Sequence, residues 1–138
     1  MKRQILLVEF EPRSTPPQGE PPSFEVSSGI GTVTVLEGDP DRVPENLSYS
    51  TRVTVTGATT FDEEGELTFD GGGFSLATLG SGVLEPSAEE GTARGAVSWR
   101  VEGTGSWSGV TGFLSSNFEV DTATGNGRER QVLRLFAP

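Results

Sequence analysis

The stretch "GTGSWSGVTGFLSSNFEV", Gly103 to Val120, places four glycines in its first ten residues and then turns strongly apolar. Two structures use glycine that way: a loop that cradles phosphate, or a tight corner between strands. A dinucleotide fingerprint has to open a helix, and here "FLSSNFEV" follows, which alternates as a strand does. A P-loop needs Gly-Lys-Ser/Thr, which is missing. The corner reading therefore stands: glycine permits positive φ and close backbone approach where a strand bends.

The same alternation recurs on both sides of this corner. In 92–102, Ala93, Gly95, Val97, Trp99 and Val101 oppose Arg94, Ala96, Ser98, Arg100 and Glu102. In 46–57, Leu47, Tyr49, Thr51, Val53 and Val55 share one face. In 110–120, Val110, Gly112, Leu114, Ser116, Phe118 and Val120 do so. Period-2 runs between Gly and Pro punctuation are the strand pattern. Strands are expected at 3–10, 26–36, 46–57, 65–70, 73–80, 92–102, 110–120 and 129–136. Turns are expected at "GDPDRVPEN", "TTFDEEG", "DGGG", "EPSAEEG", "GTGSWSG" and "TATGNG". The expected fold is all-β: one domain, residues 1–138, forming a closed antiparallel eight-stranded up-and-down barrel. "EPRSTPPQGEPPSF", residues 11–24, has five prolines and cannot be a central strand. It reads either as a surface loop or as a lid over the barrel mouth.

Composition removes whole classes of chemistry. With no Cys and no His, there is no disulfide, no thiolate nucleophile, no Ser-His-Asp triad and no His-ligated zinc. No metal or cofactor is expected. The net charge of −10 argues against nucleic acid and anionic membrane surfaces. No apolar run approaches the roughly 20 residues of a membrane helix. The opening "MKRQILLVEFEP" starts like a signal peptide, but its apolar run is only "ILLV", so a cytoplasmic location is expected. The acidic "FDEEGE" and "GDPD" lack the spacing of a calcium loop and read as solvated turns. Glu9, Glu66, Glu102 and Glu119 read as outward-facing charge rather than a glycosidase pair.

The inner faces hold a few large aromatics among many small residues, which leaves room for a cavity. Tyr49 and Trp99 are the candidate catalytic residues, because each can hydrogen-bond a polar group or stack on a flat one. Thr51, Phe74, Leu76, Val97, Leu114, Ser116 and Phe118 are the candidate substrate-binding residues. Arg52, Arg100 and Arg134 are candidates to meet an acidic head group, although parity turns the first two outward. Strands 1 and 8 are apolar on both faces. Leu6, Val8 and Phe10 are therefore expected to form an outer patch with Val132 and Phe136, giving a homodimer.

"GAVSWRVEGTGSWSGVTGFLSSNFEV" resembles the strand–corner–strand pattern of allene oxide cyclase-like barrels and the related dirigent proteins. Gly103, Thr104, Gly105, Trp107, Gly109 and Gly112 match their corner, and "TGFLSSNFEV" matches the text that follows it. The strong match covers residues 91–120. The resemblance implies a closed barrel with a hydrophobic cavity that steers cyclisation of a flexible substrate without a cofactor. Small bacterial barrels of similar look include spirotetronate-forming Diels–Alderases and tetronate polyether cyclases of polyketide biosynthesis. A pericyclase acting on a linear polyketide-type intermediate is thus the function the resemblance implies; a non-catalytic barrel for a lipid-like molecule is the alternative. The plant enzymes' Cys is missing here, and none of their catalytic residues can be matched to a position in this chain.

Overall fold

A computed structural model describes residues 2–138. It is all-β, with 67% of the chain in strand. Eleven strands run as β1 (Lys2–Phe10), β2 (Pro12–Ser14), β3 (Ser23–Ser28), β4 (Thr32–Glu37), β5 (Ser48–Val55), β6 (Thr60–Phe69), β7 (Gly72–Thr78), β8 (Gly82–Pro86), β9 (Thr92–Gly105), β10 (Thr111–Asp121) and β11 (Gly127–Ala137). All pairings are antiparallel. β6 pairs with β7 and β8, and both of these pair with β9, which closes a four-stranded barrel core. The sheet continues outward from β6 through β5, β3 and β2, and from β9 through β10, β11, β1 and β4. Among the described residues, no helix is long and apolar enough to cross a membrane.

Several element boundaries differ from those expected. The expected strand 26–36 divides at Gly29–Gly31 into β3, which pairs with β5, and β4, which pairs with β1. The acidic turn expected at "TTFDEEG" is strand instead: β6 begins at Thr60 and carries Asp62, Glu63 and Glu64. β8 lies beyond the expected strand 73–80 and overlaps the expected turn "EPSAEEG" at Glu85 and Pro86, and β2 is a short edge strand within the Pro-rich segment.

The interior is built in cross-strand rows, because register partners in antiparallel strands share a face. One row runs Trp99–Leu114–Leu133–Leu6–Val35. The next toward the far end runs Val97–Ser116–Gln131–Val8–Val33. The last runs Leu84–Gly95–Phe118–Glu129–Phe10. Leu6, Val8 and Phe10 are therefore interior, which corrects the expected outer patch. The outward apolar side chains of these strands are Ile5, Leu7, Val132 and Phe136, all half-buried, beside the exposed Phe113.

The Gly103–Gly112 stretch is a corner. β9 ends at Gly105, where φ is +63°, and β10 starts six residues later. The corner folds Trp107 inward against Phe69 (6.0 Å) and Phe74 (5.6 Å), both edge-on, with the Arg42 guanidinium 4.7 Å from its ring centre. This aromatic group plugs one end of the barrel. Gly112 sits where β10 and β11 approach closest: a Cβ there would lie 1.9 Å from the Arg134 carbonyl oxygen. Gly29 has nothing within 4 Å of the same position. Gly112→Ala should therefore cost about 1–3 kcal/mol by forcing backbone apart, and Gly29→Ala should stay within about 0.5 kcal/mol. Urea denaturation of both variants checks this; equal midpoints would contradict the packing.

Candidate functional site

At the end of the barrel away from the Trp107 plug lies a cavity of about 420 Å³. Phe24, Val26, Val53, Phe61, Leu84 and Phe118 supply its apolar wall, and Tyr49, Glu63 and Glu129 its polar floor. Pro12, Ser14, Thr15, Pro16 and Pro17 line its rim, so the Pro-rich segment does border the cavity. Prolines suit that place, because β2 is an edge strand and needs few N–H donors. A wider, open depression of about 1080 Å³ flanks the barrel near Glu9, Arg94, Arg128 and Arg130, and it also reaches Glu129.

Two buried carboxyl groups define the floor. Both are polar residues caught on the inward face of a strand. On β11 the inward series runs Glu129, Gln131, Leu133, Leu135, all buried. On β6 it runs Phe61, Glu63, then Leu67 and Phe69 beyond Gly65. Buried polar groups require partners, and the floor supplies them. Glu129 accepts from the Tyr49 hydroxyl, from Ser116 Oγ at 2.5 Å and from Gln131 Nε2 at 3.0 Å. Glu63 Oε2 accepts from Thr51 Oγ1 at 2.5 Å.

Glu63 also sits at a structural seam. Its β6 neighbours pair with β7 from Gly65 onward and with β8 up to Phe61. At Glu63 itself neither strand is present, so side chains take over the ladder. Trp99 Nε1 donates to the Glu63 carbonyl at 2.9 Å, and Thr78 Oγ1 bonds both the Glu63 carbonyl (2.5 Å) and its N–H (2.8 Å). The break between β7 and β8 is thus what frames this carboxyl.

Burial pushes the Glu63 carboxyl up to about 8; the Thr51 hydroxyl opposes the rise and the Glu129 charge adds to it. Tyr49 is raised above the ordinary phenol range, by burial first and then by Glu129. Near neutral pH the floor therefore holds a protonated carboxyl in Glu63, beside the Glu129 carboxyl group, which three donors satisfy. That combination can give and take a proton at working pH.

Of the candidate residues, Tyr49, Thr51, Ser116 and Phe118 come together around the floor: Tyr49 and Phe118 line the cavity, and Thr51 and Ser116 hold the two carboxyls. Trp99 lies beneath, 1% exposed, gripping the Glu63 main chain. Val97 and Leu114 are core around it, Leu76 is buried against β9, and Phe74 belongs to the opposite aromatic plug. Arg52 pairs with Glu25 at 3.0 Å, Arg100 lies over Phe113, and Arg134 is exposed; none lines the cavity. Glu9, Glu66, Glu102 and Glu119 all project outward and are exposed. Sequence reasoning missed Glu63, taken as turn, and Glu129, at a strand start. Extending the inward parity backward from Leu67 and from Leu133 would have found both.

Among the described residues, no group of three or more Asp, Glu, His or Cys side chains is arranged to hold a metal ion. No family model matches the chain, and no curated protein or solved structure matches it at a significant level.

A raised carboxyl makes stability depend on pH. The unfolded chain ionises Glu63 near 4.5, as an ordinary glutamate does, the folded chain near 8. Across that window the folded state holds more protons, so stability falls as pH rises from about 4.5 to about 8 and then levels. The loss is on the order of several kcal/mol. Glu63→Gln should flatten this slope and make the protein more stable than the parent at pH 8, in thermal melts between pH 5 and 9. Parallel curves for the two proteins would contradict the protonation state assigned to Glu63.

Proposed function

We propose that the chain is a cofactor-independent cyclase that folds a linear, flexible, largely apolar polyketide-type molecule inside its barrel and closes it into a ring. The observation that carries this reading is the cavity whose floor is a protonated carboxyl beside a second, hydrogen-bonded carboxyl group. Holding a chain with its ends together contributes several kcal/mol of the barrier in well-oriented intramolecular reactions. The apolar wall supplies that containment, the Pro-rich rim keeps water out, and Glu63 supplies or removes a proton where charge develops. Tyr49 and Glu129 act as a pair that steadies the floor.

The eight-stranded barrel belongs to the same proposal. β3 and β4 count as one strand bent at Gly29–Gly31, β7 and β8 as one broken at Leu79–Ser81, and β2 as an edge addition. The Gly31 N–H donating to the Leu47 carbonyl at 2.8 Å supports closure at the bend. The likeness of Gly103–Val120 to allene oxide cyclase-like corners supports this architecture.

The test incubates purified protein with linear diene–dienophile substrates and looks for a product isomer of identical mass. Glu63→Gln should slow turnover about 100- to 10,000-fold, as loss of a positioned acid–base group does. Tyr49→Phe keeps the ring and frees one side of Glu129; it should slow turnover about 10- to 1000-fold. No acceleration over buffer for any such substrate would replace catalysis with simple ligand binding. A homodimer through Ile5, Leu7, Phe113, Val132 and Phe136 is proposed as well, because contiguous outward apolar side chains favour an interface. Light scattering should give twice 14.6 kDa; the monomer mass would contradict it.

A further inference from the structure

The polar floor has more acceptors than donors. The Tyr49, Thr51 and Ser116 hydroxyls and the Gln131 amide nitrogen are all spent on the two carboxyl groups. What remains unpartnered among the described residues is the second oxygen of Glu63, which carries the carboxyl proton while the cavity is empty, and Gln131 Oε1, which is buried behind the floor and does not line the cavity. Gln131 is only 1% exposed and stands two residues along the same inward face as Glu129. A buried acceptor without a donor is costly, and so is a buried carboxylate without a cation.

Among the described residues, none provides a cation there. No Arg or Lys lines the cavity, and its rim adds Glu119 and Asp121. The ion pairs, Arg3–Glu37, Arg52–Glu25, Arg94–Glu85 and Arg130–Glu9, join side chains that are all exposed. Arg128 and Arg130 flank Glu129 in sequence but project to the outer face. The expected anchor for an acidic head group is therefore missing, and a carboxylate entering here would meet like charge. The aromatic rings of Tyr49, Phe24, Phe61 and Phe118, by contrast, offer negative faces to a cation.

We propose that the cavity takes an apolar molecule bearing a basic nitrogen, bound as its ammonium against the carboxyl groups of Glu63 and Glu129. This rests on reading the cavity as a ligand site, and it narrows the substrate class from any flexible apolar chain to an amine-bearing one. The ammonium donates to the free oxygen of Glu63 and offsets the Glu129 charge, while the hydrocarbon lies along the apolar wall. Glu63 is protonated in the empty cavity, so binding drives part of its proton into solution.

Calorimetry on the full chain with decylamine, decanol and decanoate tests this, because the three share a chain and differ in head group. Decylamine should bind one-to-one and at least about tenfold tighter than decanol, the worth of one charge-assisted hydrogen bond. Decanoate should be the weakest of the three. The amine preference should persist at high salt, which screens attraction to the acidic surface but not a buried pair. Heats measured in buffers of different ionisation enthalpy should reveal proton release with the amine alone. Glu63→Gln should bring the amine down toward the level of decanol and abolish the proton release. Decanoate binding as tightly as the amine would overturn the proposal, as would an amine preference that vanishes with salt. Decanol bound without any amine preference would overturn this inference and leave the ligand cavity standing. No binding by any of the three would overturn both.

Discussion

Every second residue of a strand that enters this barrel has to stay inside, whatever its chemistry. Most inward positions obey by being apolar: Leu6, Leu114, Leu133 and Trp99 share one row at or near zero exposure. Two carry a carboxyl group. Glu63 falls on the inward face of β6 two residues from Phe61, and Glu129 on that of β11 two residues from Gln131. Four of the interior's other polar side chains answer these two. Tyr49, Ser116 and Gln131 converge on Glu129, and Thr51 on Glu63. The gap between β7 and β8 lets Trp99 and Thr78 close the Glu63 main chain by side-chain bonds. The polar floor of the cavity follows from how the fold handles these two carboxyls.

The barrel is polarised along its axis as a result. At one end Phe69, Phe74 and Trp107 fill the interior with packed rings, Trp107 edge-on to both phenylalanines. At the other, Gly95 stands opposite Phe118, and a Cβ on it would meet that ring at 2.4 Å. Gly95 thus makes room for the Phe118 ring, and the cavity that this ring lines is bordered by the Pro-rich segment. A rigid plug and an open floor suit containment: the fixed end sets the walls, and the cavity end admits the occupant.

Much of this was legible in the chain, and the gaps have physical causes. The inward faces of β5, β9 and β10 follow directly from alternation, and Tyr49, Thr51, Ser116 and Phe118 were singled out on that ground. The corner at Gly103–Gly112 was legible because no helix follows it. Glu63 was not, since "FDEEGE" looks like a solvated turn until the strand is carried back through Gly65. Strand 1 misled for another reason: Ile5 and Leu7 are as apolar as Leu6 and Val8, so only the register with β11 and β4 decides which pair is inside. The division of strand 26–36 at Gly29–Gly31 depends on two different pairing partners, which no local pattern encodes.

The central claim is that the barrel holds one carboxyl protonated at neutral pH beside another that is hydrogen-bonded. Carbon-13 NMR titration of protein labelled at the glutamate carboxyl carbon measures it directly. One resonance should titrate near 8, far from the solvent-exposed glutamates, and that resonance should be lost in Glu63→Gln. If every glutamate carboxyl titrates in the ordinary range around its model value, Glu63 is not desolvated in the folded chain, and the account of the cavity floor is wrong.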